Sequence, residues 1–341
     1  MYQIINTEKN NEKASDYETF SLLYLLGVRT DKEEIDLVLI DCFNDVTGAD
    51  EAVVRLWDVQ SKGHKTNTPL KIGEHLVTLY GNFLSSFPFS YLILFLETVD
   101  TSYVTDNSKQ VFKFSDFTKS SKKKIKNGLQ REVDRRNKTQ FQLSDENKLD
   151  QFLSVVDFVR CTANKISNVK NLIEFKNKKF RKDEFFVDIF NEIRGMQSAL
   201  KNVNVEGGLL RQPVDVLSLK KFISRNQIVT LLINRLVGIE LFDNLSVPIN
   251  FIQYVQAMES EDIKDLVQSC NSSLSRTFFN KNNKFHVWHL LEFIIKKIIV
   301  KPENKIETIF LTIPENLRKK VPTLDETSTK FFIARVMDGL T

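Results

Sequence analysis

Side chains that could bind a metal ion and a phosphate stand at alternate positions of one short segment. Asp58, Gln60 and Lys62 lie in residues 53–62, a run whose composition is typical of a β-strand. Because side chains of a strand alternate between its faces, these three would share one face. Glutamine and lysine are unusual on a buried face, so the spacing needs a chemical explanation. An oxygen ligand for a metal, followed by a lysine that neutralises a phosphate, would supply one.

A second acid precedes this segment, at the start of the strand before it. Asp45 stands next to Val46 and just before a turn at Gly48, where a strand edge can present its carboxylate. Asp45 and Gln60 would together give a divalent cation, Mg²⁺ or Mn²⁺, two oxygen ligands. Gln60 brings no charge, so a further acid is needed to complete the site. The alternative for Asp45 is a side chain that caps the turn.

Several other residues could complete this site. We favour Glu18, on an early helix, as the further metal ligand, and we hold Asp41 and Asp58 as reserve ligands. Lys62 would orient the attacking water and neutralise charge that develops on the phosphate. The alternatives are a glutamate at the exposed start of a helix and a lysine whose ammonium reaches solvent.

The hydrophobic pattern predicts the elements that hold these residues. A helix is expected over residues 14–27, and Ser15 or Asp16 can cap it. The next elements are two strands, a helix and a buried strand, at residues 36–41, 53–62, 70–87 and 89–97. From residue 116 onward the pattern is mainly helical, with its strongest segments at residues 149–161, 185–200, 217–236, 255–269, 285–300 and 329–337.

These motifs carry a resemblance to a known superfamily. An acid at a strand start, followed by Gln-x-Lys on the next strand, resembles the PD-(D/E)XK, or restriction-endonuclease-like, nucleases. The resemblance is closer to one branch, the effector nucleases of bacterial anti-phage systems, which includes the double-stranded DNA endonuclease module of SAVED-type effectors and the Lamassu nuclease subunit. It covers residues 14–100 and rests on residues 15–20, Asp45-Val46 and Gln60-Ser61-Lys62. The order helix, strand, strand, helix, strand agrees with the superfamily core.

The resemblance implies an activity and a set of partners. It implies a Mg²⁺-dependent endonuclease that cleaves double-stranded DNA with little sequence preference, in which Asp45, Gln60, Lys62 and Glu18 are catalytic. Such effectors form homo-oligomers and are activated by multimerisation or by release from partners, here an SMC-like ATPase with accessory defence subunits. The superfamily usually has Glu or Asp where this chain has Gln60. A catalytically decayed nuclease fold that binds DNA or acts as a scaffold is therefore the alternative, and an RNA-directed nuclease is a third.

A basic segment could contact the nucleic acid. Residues 119–138 contain nine Lys or Arg residues against two acids. This density suits a polyanionic partner, although a solvated helix face is the alternative. His64 and Lys65, which follow the metal motif, could also touch a phosphate or be ordinary loop residues. The predicted DNA contacts in the basic segment are Lys122, Lys123, Lys124, Lys126, Arg131, Arg135 and Arg136.

Length and composition limit the remaining possibilities. The 341 residues, 42% of them hydrophobic, allow one or two domains. We predict an α/β nuclease domain with a mixed central sheet flanked by helices at residues 1–205. A mainly α-helical assembly and control region would follow at residues 206–341, although a boundary near residue 145 stays open. Because no apolar run reaches membrane-spanning length, no secretion signal is visible and the three cysteines are far apart, we expect a cytoplasmic protein without a membrane partner.

Overall fold

The described residues form two compact units. The computed structural model describes residues 1–4, 15–63, 66–137, 146–177, 181–201, 205, 207–242, 246–282 and 284–340. The first unit is Met1–Val169 with Asp183–Arg225, and the second unit is Lys170–Lys182 with Asn226–Thr341. The domain boundary that the sequence favours, after residue 205, lies inside the first unit by this division.

The first unit contains the strands of the described chain and the helices that cover them. Its strands are β1 (Tyr2–Gln3), β2 (Leu37–Ile40), β3 (Val46–Ala49), β4 (Leu56–Lys62), β5 (Phe89–Leu96), β6 (Val111–Lys113), β7 (Asp157–Arg160), β8 (Leu209–Leu210) and β9 (Phe222–Ser224). Its helices are α1 (Asp16–Gly27), α2 (Pro69–His75), α3 (Val77–Leu84), α4 (Lys119–Asn137), α5 (Glu146–Val155), α6 (Lys165–Leu172, which continues into the second unit) and α7 (Asp183–Lys201).

The larger sheet of this unit is mixed. Its strand order is β6-β7-β5-β4-β3-β2-β9, while β1 and β8 form a separate pair. Strands β2, β3 and β4 make an antiparallel meander, and β4, β5 and β7 run parallel. Strands β6 and β9 lie antiparallel at the two edges. The predicted α/β class with a mixed central sheet flanked by helices is confirmed.

The hairpin between β3 and β4 fixes the register that matters for the site. Asp50 follows β3, and its carboxylate accepts hydrogen bonds from the backbone N–H groups of Val54 (2.7 Å) and Arg55 (2.9 Å). Val53 adopts a left-handed conformation with φ of 54° to complete this turn. The turn therefore delays β4 to Leu56, three residues after the predicted start, and pairs Val46 with Val59.

Helix α1 is a core helix that begins beside the sheet. The Ser15 hydroxyl accepts from the backbone N–H of Glu18 (3.2 Å), and the Glu18 carboxylate accepts from the backbone N–H of Ser15 (3.3 Å). This reciprocal cap fixes the first turn of the helix. From Glu18 to Gly27 every residue is buried, because the helix packs against β3, β4 and α7.

Two glycines let the basic helix approach the fold closely. A Cβ added at Gly73 in α2 would lie 2.0 Å from the backbone oxygen of Ile125 in α4. One added at Gly128 in α4 would lie 2.0 Å from the backbone oxygen of Leu70 in α2. The backbones of α2 and α4 therefore touch, and the buried side chains of Ile125, Leu129 and Val133 join the core beneath the sheet.

The described residues of the second unit form helices and connecting loops without a strand, which agrees with the predicted helical character from residue 226 onward, whereas residues 206–225 contain β8 and β9. Among the described helices, none combines the length and the apolar character needed to cross a membrane. The core packs aromatic rings edge to face, as Phe278 does against Phe332 at 5.6 Å. Its helices are α8 (Arg225–Val237), α9 (Ile252–Val255), α10 (Ser260–Phe279), α11 (Lys284–Val300), α12 (Ile306–Thr312), α13 (Glu315–Arg318) and α14 (Glu326–Leu340).

Four predicted helices are wrong in part. The helix expected over residues 255–269 begins only at Ser260. The helix expected over residues 149–161 ends at Val155, and the following residues form β7, which pairs with β5 on one side and β6 on the other. The helix expected over residues 70–87 is two helices that meet at Leu76. The segment 217–236 contains a 3₁₀ turn, strand β9 and only then α8. Short apolar runs such as Phe158-Val159 fit the periodicity of a helix and that of a strand equally well, and pairing within the sheet decides which of the two forms.

Candidate active site

Asp45 is anchored to two consecutive residues of β4. Its Oδ2 accepts hydrogen bonds from Gln60 Nε2 (2.6 Å), the Ser61 backbone N–H (2.7 Å) and the Ser61 hydroxyl (3.0 Å). Asp45 precedes β3, and the register that pairs Val46 with Val59 brings it opposite Gln60. The side chains of Gln60 and Ser61 leave opposite faces of β4. The carboxylate of Asp45 lies beside β4, where it contacts both side chains.

Gln60 is held at both ends of its amide. Its nitrogen donates to Asp45, and its Oε1 accepts a hydrogen bond from the Thr78 hydroxyl of α3 (2.8 Å). Gln60 is buried. Because the hydroxyl of Thr78 can either donate or accept, it satisfies the amide in either orientation. Thr78 therefore positions Gln60, a role that the sequence alone did not indicate.

Asp58 lies on the same face but is enclosed by neutral donors. Its Oδ1 accepts from the Thr47 hydroxyl (2.8 Å), and its Oδ2 accepts from the amides of Asn82 (2.7 Å) and Asn44. Asp58 is fully buried, and this burial raises its pKa to about 6 despite the donors. The carboxylate joins β3, β4 and α3, so its hydrogen bonds are directed within the fold.

Glu18 forms an ion pair with Lys201, a residue that the sequence did not indicate. Lys201, the last residue of α7, places its Nζ 2.8 Å from Glu18 Oε2 and 3.7 Å from Asp41 Oδ2. Burial raises the pKa of Glu18 to about 7, the nearby charge of Asp45 adds to this effect, and Lys201 opposes it. Burial disfavours the charge on Lys201, but Glu18 and Asp41 outweigh it and raise the pKa of the lysine. Glu18, Asp41 and Asp45 thus form one acidic cluster with an internal ammonium.

Lys62 ends β4 at the carboxyl edge of the parallel strands. It is partly buried, pairs in register with Leu96 of β5, and its backbone oxygen accepts from the Glu97 N–H (3.1 Å). Alternation along β4 puts it on the face of Asp58 and Gln60, as the spacing predicts. The other two residues named beside the motif, His64 and Lys65, lie outside the described residues.

The donor set can be tested against the predicted metal ion. Within the described part of the chain, no three His, Cys, Asp or Glu side chains are grouped so as to hold a metal. Asp45, Gln60 and Glu18 nevertheless supply the carboxylate and amide oxygens that Mg²⁺ and Mn²⁺ prefer. The pKa of Glu18 is raised mainly by burial and further by the charges of Asp45 and Asp41, and a nearby cation would favour its ionised form. The donor atoms of these residues therefore suit a hard divalent cation. Without a cation, the ammonium of Lys201 balances part of the negative charge.

The basic helix α4 divides into paired and unpaired charges. Lys126 contacts Glu146 (3.0 Å) and Asp150 (2.8 Å), and Arg135 and Arg136 both contact Glu132. These three predicted DNA contacts are thus engaged in ion pairs. The others form no ion pair within the described residues and reach solvent fully or in part: Lys122, Lys123, Lys124 and Arg131.

Comparisons with protein-family models, with curated proteins and with solved structures gave no match for this chain. The chemistry of the described residues is therefore the basis for a functional assignment.

Proposed function

We propose that this protein is a metal-dependent endonuclease that cleaves double-stranded DNA and has a PD-(D/E)XK-like core. The contact between Asp45 and Gln60 is the observation that carries the proposal. It joins the acid at the start of one strand to the Gln-x-Lys motif of the next, as this class of site requires. The order of α1, β2, β4, α2–α3 and β5 adds support because it agrees with the order that the resemblance implies, and β5 is parallel to β4. Strand β3, which contains Gly48, is an additional strand where a turn was expected.

The proposed roles follow from the donor types. Asp45, Gln60 and Glu18 would hold Mg²⁺ or Mn²⁺, and Thr78 would keep the Gln60 amide in place. When bound, the cation would polarise the phosphate and lower the pKa of a water molecule. Lys62 lies two residues beyond Gln60 on the same face, where its ammonium can neutralise the charge that develops on the phosphate.

The DNA substrate is inferred from the basic helix α4, and the cellular role from the resemblance. Lys122, Lys123, Lys124 and Arg131 of α4, which form no ion pair within the described residues, would hold phosphates without reading sequence, which agrees with cleavage of little sequence preference. The resemblance to anti-phage effectors extends the proposal to a cytoplasmic defence nuclease that forms homo-oligomers. Its activation would come from multimerisation or from release by an SMC-like ATPase and accessory subunits.

Plasmid cleavage tests the proposed function. The full chain, at a concentration that favours multimers, is incubated with supercoiled plasmid and Mg²⁺ or Mn²⁺. Lys62→Ala should cut at least ~100-fold more slowly than the wild type, because one charge-stabilising group is lost. Lys71→Ala is the matched control, since Lys71 is an exposed lysine of α2 outside the acidic cluster. Equal rates for Lys62→Ala and the wild type would remove the assignment.

Two observations favour a second function. Position 60 lacks an acid, and Asp45 Oδ2 already accepts three hydrogen bonds. A catalytically decayed nuclease fold that binds DNA as a scaffold would keep such a closed polar cluster. This alternative is favoured if the wild type cleaves no plasmid with Mg²⁺ or Mn²⁺ but binds labelled duplex DNA tightly in fluorescence anisotropy.

A further inference from the structure

Lys201 is an unusual lysine because its charge is buried among acids. Its side chain and that of Glu18 are each only 4% exposed, and their charged atoms lie 2.8 Å apart. A lysine at a helix C-terminus normally leaves its ammonium in solvent, where it interacts with the last carbonyl groups. The ammonium of Lys201 instead points to α1 and to Asp41.

The same Glu18 oxygen serves two partners. Oε2 accepts from the Ser15 N–H at the start of α1 and from Lys201 Nζ. The helix cap needs only the first of these bonds, so the ion pair with Lys201 is an addition to it. The lysine supplies a positive charge between Glu18 and Asp41. Asp45 is also close to Glu18, since its charge helps to raise the pKa of Glu18.

A divalent cation and this ammonium would compete for the same oxygens. Both are attracted to the buried carboxylate of Glu18, and a divalent ion brings twice the charge. The two cations would also repel one another across a few ångströms of buried space. Lys201 carries its charge on a flexible four-carbon stem at the end of a helix, so the ammonium can turn away without moving the body of α7.

We propose that Lys201 is a built-in counter-ion of the candidate active site, and that its ammonium leaves Glu18 when a divalent cation binds there. This inference rests on the proposed function, since it concerns the same acids. It adds that the chain itself balances part of the negative charge of the cation-free site. Loading of the cation therefore includes the breaking of the Lys201–Glu18 pair, and this lowers the affinity for the cation.

Calorimetric titration of the full chain with Mn²⁺, without DNA, measures this competition. Lys201→Met should bind Mn²⁺ about tenfold more tightly than the wild type, a typical size for coupling between two ligands. Lys201→Arg keeps the positive charge and should bind as weakly as the wild type. Lys165→Met is the matched control, because Lys165 also pairs with an acid of α1, Asp16 at 2.8 Å, but does not contact the cluster. It should leave the affinity unchanged.

A second measurement uses the wild type and does not depend on how a variant folds. The protein is acetylated briefly with an amine-reactive reagent, and the modified lysines are quantified by mass spectrometry. Mn²⁺ should raise the modification of Lys201 several-fold, because the released ammonium becomes accessible and loses its acid partner. Lys165 serves as the internal reference and should not change.

The outcomes separate this inference from the proposed function. If Lys201→Met binds Mn²⁺ no more tightly than the wild type, or if Mn²⁺ leaves Lys201 as protected as before, the inference is wrong and the nuclease assignment stands on its own test. If neither protein binds Mn²⁺, the inference and the metal-dependent function are both wrong.

Discussion

Two buried carboxylates of the first unit and one of the second differ in the direction in which their pKa is shifted. In the first unit, burial raises the pKa of Asp58 to about 6 and of Glu18 to about 7. In the second unit, burial also acts on Glu292 of α11, but its partners prevail and lower its pKa. Glu292 accepts from Lys296 (2.7 Å) and from the backbone N–H groups of Lys176 (2.9 Å) and Asn177 (3.0 Å).

The directions of these pKa shifts distinguish Glu292, whose ionised form stabilises the fold, from Glu18, whose ionised form destabilises it. Glu292 joins a loop to a helix with three donors, one of them charged, and no second acid is among the causes of its lowered pKa. Glu18 also has a charged partner, but Asp45 and Asp41 lie close enough to raise its pKa further. Crowding of acids destabilises a fold and is typical of sites that bind cations or do chemistry. The first unit is therefore the one that we expect to carry the function.

The largest expected effect concerns DNA binding by α4 of the first unit. Charge reversal to Glu at Lys122, Lys123 and Lys124 should weaken binding to all sequences alike and flatten the dependence on salt. For the wild type, about six phosphate contacts would cost roughly a thousandfold in affinity between 50 and 200 mM salt. Fluorescence anisotropy with labelled duplexes over a salt series measures both quantities.

A matched triple variant in the second unit provides the control for this experiment. Lys301, Lys305 and Lys320 are exposed lysines of that unit, and their reversal changes the net charge equally. The control should keep most of the affinity and the salt slope of the wild type. If both triple variants behave alike, α4 is a solvated face and only the overall charge matters.

A stability effect should distinguish Glu292. Glu292→Gln should lower the free energy of unfolding by about 1–3 kcal/mol near pH 7, because charge-assisted hydrogen bonds are lost. Since its pKa is lowered in the folded state, the carboxylate stabilises the protein above its unfolded pKa, and this contribution disappears as the pH falls below about 4. Urea unfolding of both proteins between pH 3 and 7 should therefore show the difference shrinking in acid. A difference independent of pH would exclude this explanation.

Asp58 should show the opposite trend in the absence of divalent cations. Its folded pKa of about 6 lies above the usual value of 3.8, so the folded state favours the protonated acid. Its contribution is fully present below about pH 4 and declines as the pH rises through 6. Relative to Asp58→Asn, the wild type should therefore lose on the order of 1–3 kcal/mol between pH 4 and 7. A gain over that range in urea unfolding would contradict the effect of burial.

The smallest effect on stability is expected at the apolar surface of the second unit, which we predict to serve assembly. Val300 and Leu311 are 83% and 74% exposed. Val300→Asp with Leu311→Asp should change stability by less than about 0.5 kcal/mol but lower the oligomeric mass in light scattering. Val54→Asp, at a 61% exposed valine of the first unit, is the control. An unchanged mass for the double variant would remove the predicted role.

The sequence predicted the parts of the site that depend on local pattern. Asp45, Gln60 and Lys62 were identified because alternation along a strand and the start of the preceding strand are local features, and the structure brings Asp45 and Gln60 together. Their catalytic roles stay predictions. Lys201 could not be found in this way, since it lies 183 residues from Glu18 and its final position on α7 carries no motif. Strand β7 was missed for a similar reason, because its pairing with β5 and β6 is non-local.

The two aspartates that flank β3 offer the most direct test of the central claim, that the acidic cluster of the first unit serves chemistry and not the fold. Asp45 contacts Gln60 and Ser61, whereas Asp50 caps the turn at the other end of the strand. Plasmid cleavage with Mg²⁺ and urea unfolding are measured for Asp45→Asn and Asp50→Asn. We expect Asp45→Asn to lose cleavage at least ~100-fold while it retains most of its stability, and Asp50→Asn to lose about 1 kcal/mol while it still cuts. Cleavage by Asp45→Asn at the wild-type rate, with the larger loss of stability, would show that Asp45 is a structural residue and would contradict the claim.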